Sequence, residues 1–204
     1  MSGTSAYCLI EGDGTNFTIL EAFKEPKHKD HLSCHHFLKQ TLIEARAHLI
    51  AIDAPLSLPR KLYDPHFVPK PREGTGEIIN PYLYRYTDYY LFKTFSLRPM
   101  PPAGDRIGRL TARCMQLFED EMIKPIKEKI IEVYPKQIAQ ALEMVDYKKN
   151  PKSVLKCLDA KQEIEDEHLI DALLAAYGAM LIDGGKTTHP PEGELEGWCY
   201  PLDL

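Results

Sequence analysis

Two apolar runs constrain this chain more than anything else in it. Residues 48–53 read "HLIAID" and residues 129–135 read "KIIEVYP". Neither alternates polar with apolar, so each is expected to form a strand covered on both faces, as strands of parallel sheets are. Pro55 stops the first and Pro135 the second, because proline cannot donate to a ladder. Each run carries one carboxylate: Asp53 ends the first and Glu132 sits inside the second. A buried, unpaired carboxylate costs on the order of several kcal/mol. Each acid therefore sits at a turn or edge, or meets a cation.

The remaining segments fit around these strands. "AYCLIEGDGTNFTILEAFK" reads as a β-hairpin turning at Asp13-Gly14. "KDHLSCHHFLKQTLIEARA" carries Leu32, His35, Leu38, Leu42 and Ala45 at helical spacing. "RIGRLTARCMQLFEDEMIK" is a second amphipathic helix, bent or ended at Pro125, and "KQIAQALEM" a short third. "EIEDEHLIDALLAAYGAMLIDGG" is the strongest helix, closed by Gly184-Gly185, and the tail "EGELEGWCYPLDL" suits a short edge strand. Strands alternating with helices define an α/β architecture with a mixed sheet. A crossover connection would set "HLIAID" and "KIIEVY" side by side and parallel. Ligands of open α/β sheets bind beyond the carboxyl ends of the strands, and Asp53 lies at such an end.

Asp171 raises the same question from the last helix. It sits between Ile170 and Leu173, beside the small residues Ala172, Ala175, Ala176 and Gly178 that let a helix approach a sheet closely. His168, three residues earlier, shares its side of the helix. Asp53, Glu132 and Asp171 together point to a divalent cation with open water positions, Mg²⁺ or Mn²⁺. Two such ions would hold the attacking and leaving oxygens of a phosphodiester displacement. On this reading Asp53 and Asp171 hold the metal, and Glu132 and His168 are further ligands or orient the attacking water. Plainer readings stand beside it: Asp53 as a turn residue, Glu132 at an edge, Asp171 in a bridge to Lys or Arg, His168 in packing.

Residues 55–108 form an irregular insert, or cap, rich in Arg, Tyr and Pro, with "PHFVPKPREGTGEI" as its loop. Its arginines, with those of the following helix, include Arg60, Arg72, Arg85, Arg98, Arg106, Arg109 and Arg113, interleaved with Tyr82, Tyr84, Tyr86, Tyr89 and Phe92. Arginine forks clamp phosphates and aromatic faces stack bases. Arg60, Arg85, Arg109 and Arg113 are thus expected to bind a nucleic acid or nucleotide. Packing of the aromatics and a local Arg85–Asp88 pair are the structural alternatives. "HKDHLSCHH" reads as a solvated helix start, since no partner gives it zinc spacing.

The chain has 204 residues, enough for a single domain spanning 1–204, and a net charge of −5. That balance argues against a bulk nucleic-acid binder and leaves room for a local basic patch. Five widely spaced cysteines form no CxxC pair, so a reducing cytoplasm is expected. No apolar run approaches a membrane span.

"AIDAPLSLPR", "IEVYP", "EHLIDALLAAYGAM" and the late "EGW" resemble a family of unknown function grouped with predicted nucleases of the ribonuclease H-like superfamily. The spacing from His168 to Asp171 also looks like the last acidic helix of some Holliday-junction resolvases. The resemblance implies a ribonuclease H-like sheet of order 3-2-1-4-5 flanked by helices. "AYCLIE" would be strand two, "FTILEAF" strand three, "HLIAID" strand four and "KIIEVY" strand five. It also calls for a central first strand ending in Asp ahead of a segment like Ser2–Ala6. The expectation is a shortened, poorly active chain lacking that strand, unless "AYCLIEGDG" takes its place with Glu11 or Asp13 as the acid. The function expected is a metal-dependent nuclease or phosphodiesterase. The alternatives are a non-catalytic nucleic-acid or nucleotide binding module, and a nucleotide-dependent phosphotransferase of the same sheet type.

Overall fold

The computed structural model describes residues 5–13, 16–25, 31–68, 80–144, 146–192 and 196–204, without the side chains of 31–33. The Gly-rich tip "REGTGE", with Arg72, and the turn residue Gly14 lie outside them.

β1 (Ala6–Gly12) and β2 (Phe17–Lys24) form the expected antiparallel hairpin. Its turn is closed by Asp13, whose Oδ1 accepts from the Asn16 backbone N–H at 3.0 Å. The register slips once: Leu9 faces Glu21 but Ile10 faces Ile19, so Leu20 is an extra residue. Such a bulge inverts the in–out parity along a strand. Phe17 and Ile19 before it and Ala22 after it all pack on the main core, while Leu20 is exposed.

α1 (His31–Glu44) leads into β3 (Ile50–Ile52). α2 (Tyr86–Phe95) and α3 (Gly108–Phe118) follow; α3 ends well short of Pro125. β4 (Ile130–Glu132) pairs with β3 in parallel, Ile52 opposite Glu132. Val133 N–H then donates to the Ile52 carbonyl at 3.1 Å, latching the two strand ends together. β3 is only half-buried along its length, less than its apolar run predicts; among the described residues it pairs on one side only. The described strands make two separate ladders, β1–β2 and β3–β4. The fold is therefore mixed α/β with one antiparallel and one parallel pair. The tail contributes single bridges, Cys199 to Glu132 and Leu202 to Thr187.

α4 (Pro135–Ala141) and α5 (Pro151–Cys157) precede the long α6 (Glu167–Asp183), which packs on β1, β2 and β3 and so spans both ladders. Asp166 caps it, accepting from His168 N–H at 2.9 Å while Lys24 of β2 pairs with the same carboxylate. Ile170, Leu173 and Leu174 are fully buried. They contribute roughly 1.5–3 kcal/mol each, which offsets the cost of holding the adjacent Asp171 half-buried. No helix among the described residues is long and apolar enough to cross a membrane.

Candidate functional site

Asp53 follows β3 directly, and α6 carries Asp171 to the same end of the parallel pair. More than a hundred residues separate them in sequence, yet the Asp171 charge bears directly on Asp53. The Asp53 carboxyl is pushed up to about 7, first by protein crowding, then by Asp171, with Glu132 adding and Lys148 opposing. One face of Asp53 is open to solvent. Crowding and neighbouring negative charge act in the same direction, so the open face limits the size of the shift and not its sign.

Two residues of the segment between α4 and α5 complete this recess. Tyr147 donates its hydroxyl to Asp171 Oδ1 at 2.8 Å, and Lys148 Nζ meets Oδ2 at 2.6 Å. Burial raises the Tyr147 hydroxyl pKa, and Asp171 and Asp53 raise it further. Tyr134 shifts the same way through burial, then Asp53, with a smaller push from Asp171. Both phenols therefore stay protonated, and Tyr147 is a donor to Asp171. Lys148 is half-exposed and is the counter-ion that a half-buried Asp171 requires.

Glu132 lies beneath the recess and faces inward. Its carboxylate receives Arg85 Nη1 and Nη2 at 2.6 Å each, and Leu56 N–H donates to it at 2.9 Å. Arg85 also gives Nε and Nη2 to Asp88, at 3.1 and 2.8 Å, and Nη1 to Ser57 at 3.3 Å. Those contacts occupy all five guanidinium donors. Arg85 is 1% and Glu132 6% exposed. The network ties α2 to β4 and to the loop after β3, so both residues act in the scaffold that shapes the recess. The sequence expectation of substrate contact for Arg85 and of ligation for Glu132 does not match these positions. Burial on the helix side and a partner 47 residues away explain the difference.

The other expected site residues are dispersed. Arg60 pairs with Asp64 at 2.9 Å and lies over Phe67. Arg113 approaches the Cys34 sulfur at 4.0 Å, and Arg109 is exposed on α3. His168 is exposed in the first turn of α6, three residues before Asp171. Asp13 is held in the hairpin turn, and Glu11 pairs across the hairpin with Thr18. His35 Nε2 stands 3.8 Å from Asp120 Oδ2, a carboxylate it shares with Lys39. Among the described residues no group of three or more His, Cys, Asp or Glu side chains is placed to share an ion. Two carboxylates with water are nonetheless a donor set that Mg²⁺ or Mn²⁺ accepts.

Residues 12–195 match the family model described as a protein of unknown function, DUF429. The chain belongs to that family. No curated protein and no solved structure matches it.

Proposed function

We propose that the Asp53–Asp171 recess is the divalent-cation site of a phosphodiester-cleaving enzyme, a nuclease in its broad chemistry, with Mg²⁺ or Mn²⁺ as the ion. The observation that carries this is that β3 and α6 bring Asp53 and Asp171 to one end of the parallel pair, where the Asp171 charge raises the Asp53 pKa. Two carboxylates forced together at a strand end are poorly matched to each other and well matched to a doubly charged cation. The ion would lower the pKa of bound water and offset charge on a phosphate.

The chain's own residues have definite tasks on this reading. Tyr147 fixes the rotamer of Asp171 through its hydroxyl. Lys148 neutralises Asp171 when no metal is held and, being half-exposed, can swing away. Asp53 supplies the second carboxylate, and a bound cation would relieve its repulsion with Asp171. The Arg85–Glu132 lock holds the Leu56 backbone, and with it the loop that carries Asp53. Residues 55–108 are assigned as the substrate-facing cap, with Arg60 within it and Arg109 on the following α3 as phosphate contacts. A reducing cytoplasm is the proposed compartment, which all five cysteines being free thiols supports.

A non-catalytic nucleotide or nucleic-acid binding module is the second reading. The Lys148–Asp171 pair at 2.6 Å favours it, because a satisfied carboxylate needs no ion. One experiment separates them: purified protein with Mn²⁺ against single-stranded, duplex, junction and RNA–DNA substrates, beside Asp53→Asn and Asp171→Asn. The enzyme reading predicts cleavage of at least one substrate that both variants lose. Binding without cleavage, unchanged in the variants, supports the module.

A further inference from the structure

A concave site lies on the opposite side of the hairpin from α6. It is a cleft of 390 Å³ between the β1–β2 hairpin and α1, and it shares no lining residue with the Asp53–Asp171 recess. Its floor is aromatic. Tyr7 and Phe23 are cross-strand partners with ring centres 5.9 Å apart. Phe37 of α1 stands 6.3 Å from Tyr7 and 6.2 Å from Phe23. The rings are tilted at 38–44° to one another, so none is stacked flat on another. The bulge at Leu20 produces this arrangement. After it, Glu21, Phe23 and Glu25 turn to the cleft while Ala22 turns to the core.

Around the three rings stand three carboxylates, Glu21, Glu25 and Glu44. No Lys, Arg or His is among the described lining residues. Glu21 takes the Tyr7 hydroxyl, and Glu44 accepts from Gln40 Nε2 at 2.9 Å. Burial, Glu21 and Glu44 together push the Tyr7 hydroxyl up to about 12, so Tyr7 remains a neutral ring in a negative field. Aromatic faces attract a cation within about 6 Å of the ring centroid, and neighbouring carboxylates add to that attraction.

We propose that this cleft binds a small alkylated ammonium ion, with Tyr7, Phe23 and Phe37 beneath the cation and Glu25 and Glu44 supplying the countercharge. The volume is that of a small-molecule pocket and not of an extended interface. The described lining is aromatic and acidic, which suits a cationic ligand. Methylated nitrogen suits the site better than a primary amine. Its charge is spread over methyl surfaces that ring faces satisfy.

Calorimetric titration of the full chain with choline and with its neutral isostere 3,3-dimethylbutan-1-ol tests this directly. Saturable choline binding is expected, with the isostere at least about tenfold weaker. Phe23→Leu, at a side chain 41% exposed, should weaken choline binding about two- to thirtyfold with an unchanged melting temperature. Glu25→Gln should weaken it as well, and Asp53→Asn should leave it intact whatever becomes of the metal site. Equal affinity for the two probes, no saturation by about 20 mM choline, or unchanged affinity in both cleft variants would overturn the proposal. Tighter binding of putrescine than of choline would also overturn it.

Discussion

Arg85 and Glu132 meet fork to fork, with both nitrogen–oxygen contacts at 2.6 Å and neither side chain reaching solvent. Through Leu56 N–H, the same carboxylate holds the loop that follows Asp53. The pair is the point at which the insert, the parallel strands and the acid recess become one structure.

Removing one half of that pair strands the other. Arg85→Met leaves Glu132 and Asp88 buried without their cation, and Glu132→Ala leaves Arg85 with only Asp88 and Ser57. Each is expected to cost about 3–5 kcal/mol, read as a lowered midpoint in urea denaturation. A loss under about 1 kcal/mol in both would mean that the network is not a structural lock.

The Asp53 shift sets a pH dependence of stability. Its pKa is raised from 3.8 in the unfolded chain to about 7 in the fold. An acid with a raised folded-state pKa favours folding fully below the unfolded value and loses that contribution as pH climbs through the folded one. Asp53→Asn should therefore gain melting temperature over wild type at pH 8, and the gain should shrink toward pH 4. A difference that stays constant across this range would contradict the shift.

Lys148→Gln removes the counter-ion of Asp171. Metal-free protein should lose up to about 1 kcal/mol at neutral pH, little because Lys148 is half-exposed and Tyr147 still donates to Asp171. The same variant should bind Mn²⁺ more tightly than wild type, since no internal ammonium competes. Weaker Mn²⁺ binding would make Lys148 part of the site's scaffold.

Gly178 marks where α6 rests on α4. A Cβ there would overlap Cδ1 of Ile138 and stand 3.1 Å from its Cγ1. Gly178→Ala is expected to destabilise by about 1–2 kcal/mol, overpacking outweighing the helix propensity gained. Ile138→Val in the same chain should recover most of the loss, measured as a double-mutant cycle.

The sequence made some of this legible, for identifiable reasons. Unbroken apolar runs stopped by proline announce parallel strands, and β3 and β4 pair in that way. An acid ending one strand and an acid amid small residues on the last helix point to the same edge, and Asp171 does act on Asp53. Arg85 looked like a phosphate ligand because its burial depends on Glu132, distant in sequence. Tyr147 and Lys148 escaped notice in the polar stretch "DYKKN", where no periodicity marks a functional side chain. α5 is capped by Asn150 and opened by Pro151, but its 7 residues are too few to show a helical period in the sequence. The bulge at Leu20 has no local signature at all: "FTILEAF" reads as an ordinary strand, and only the pairing with β1 exposes the extra residue.

The central claim is that Asp53 and Asp171 form a cation site, and Mn²⁺ binding followed by electron paramagnetic resonance tests it most directly. Titrating wild-type protein should remove the free-ion signal saturably. Asp53→Asn and Asp171→Asn should each weaken binding about tenfold or more, as loss of one of two carboxylate ligands requires. Wild type that leaves the free Mn²⁺ signal undiminished, or variants that bind the ion as wild type does, would contradict the account.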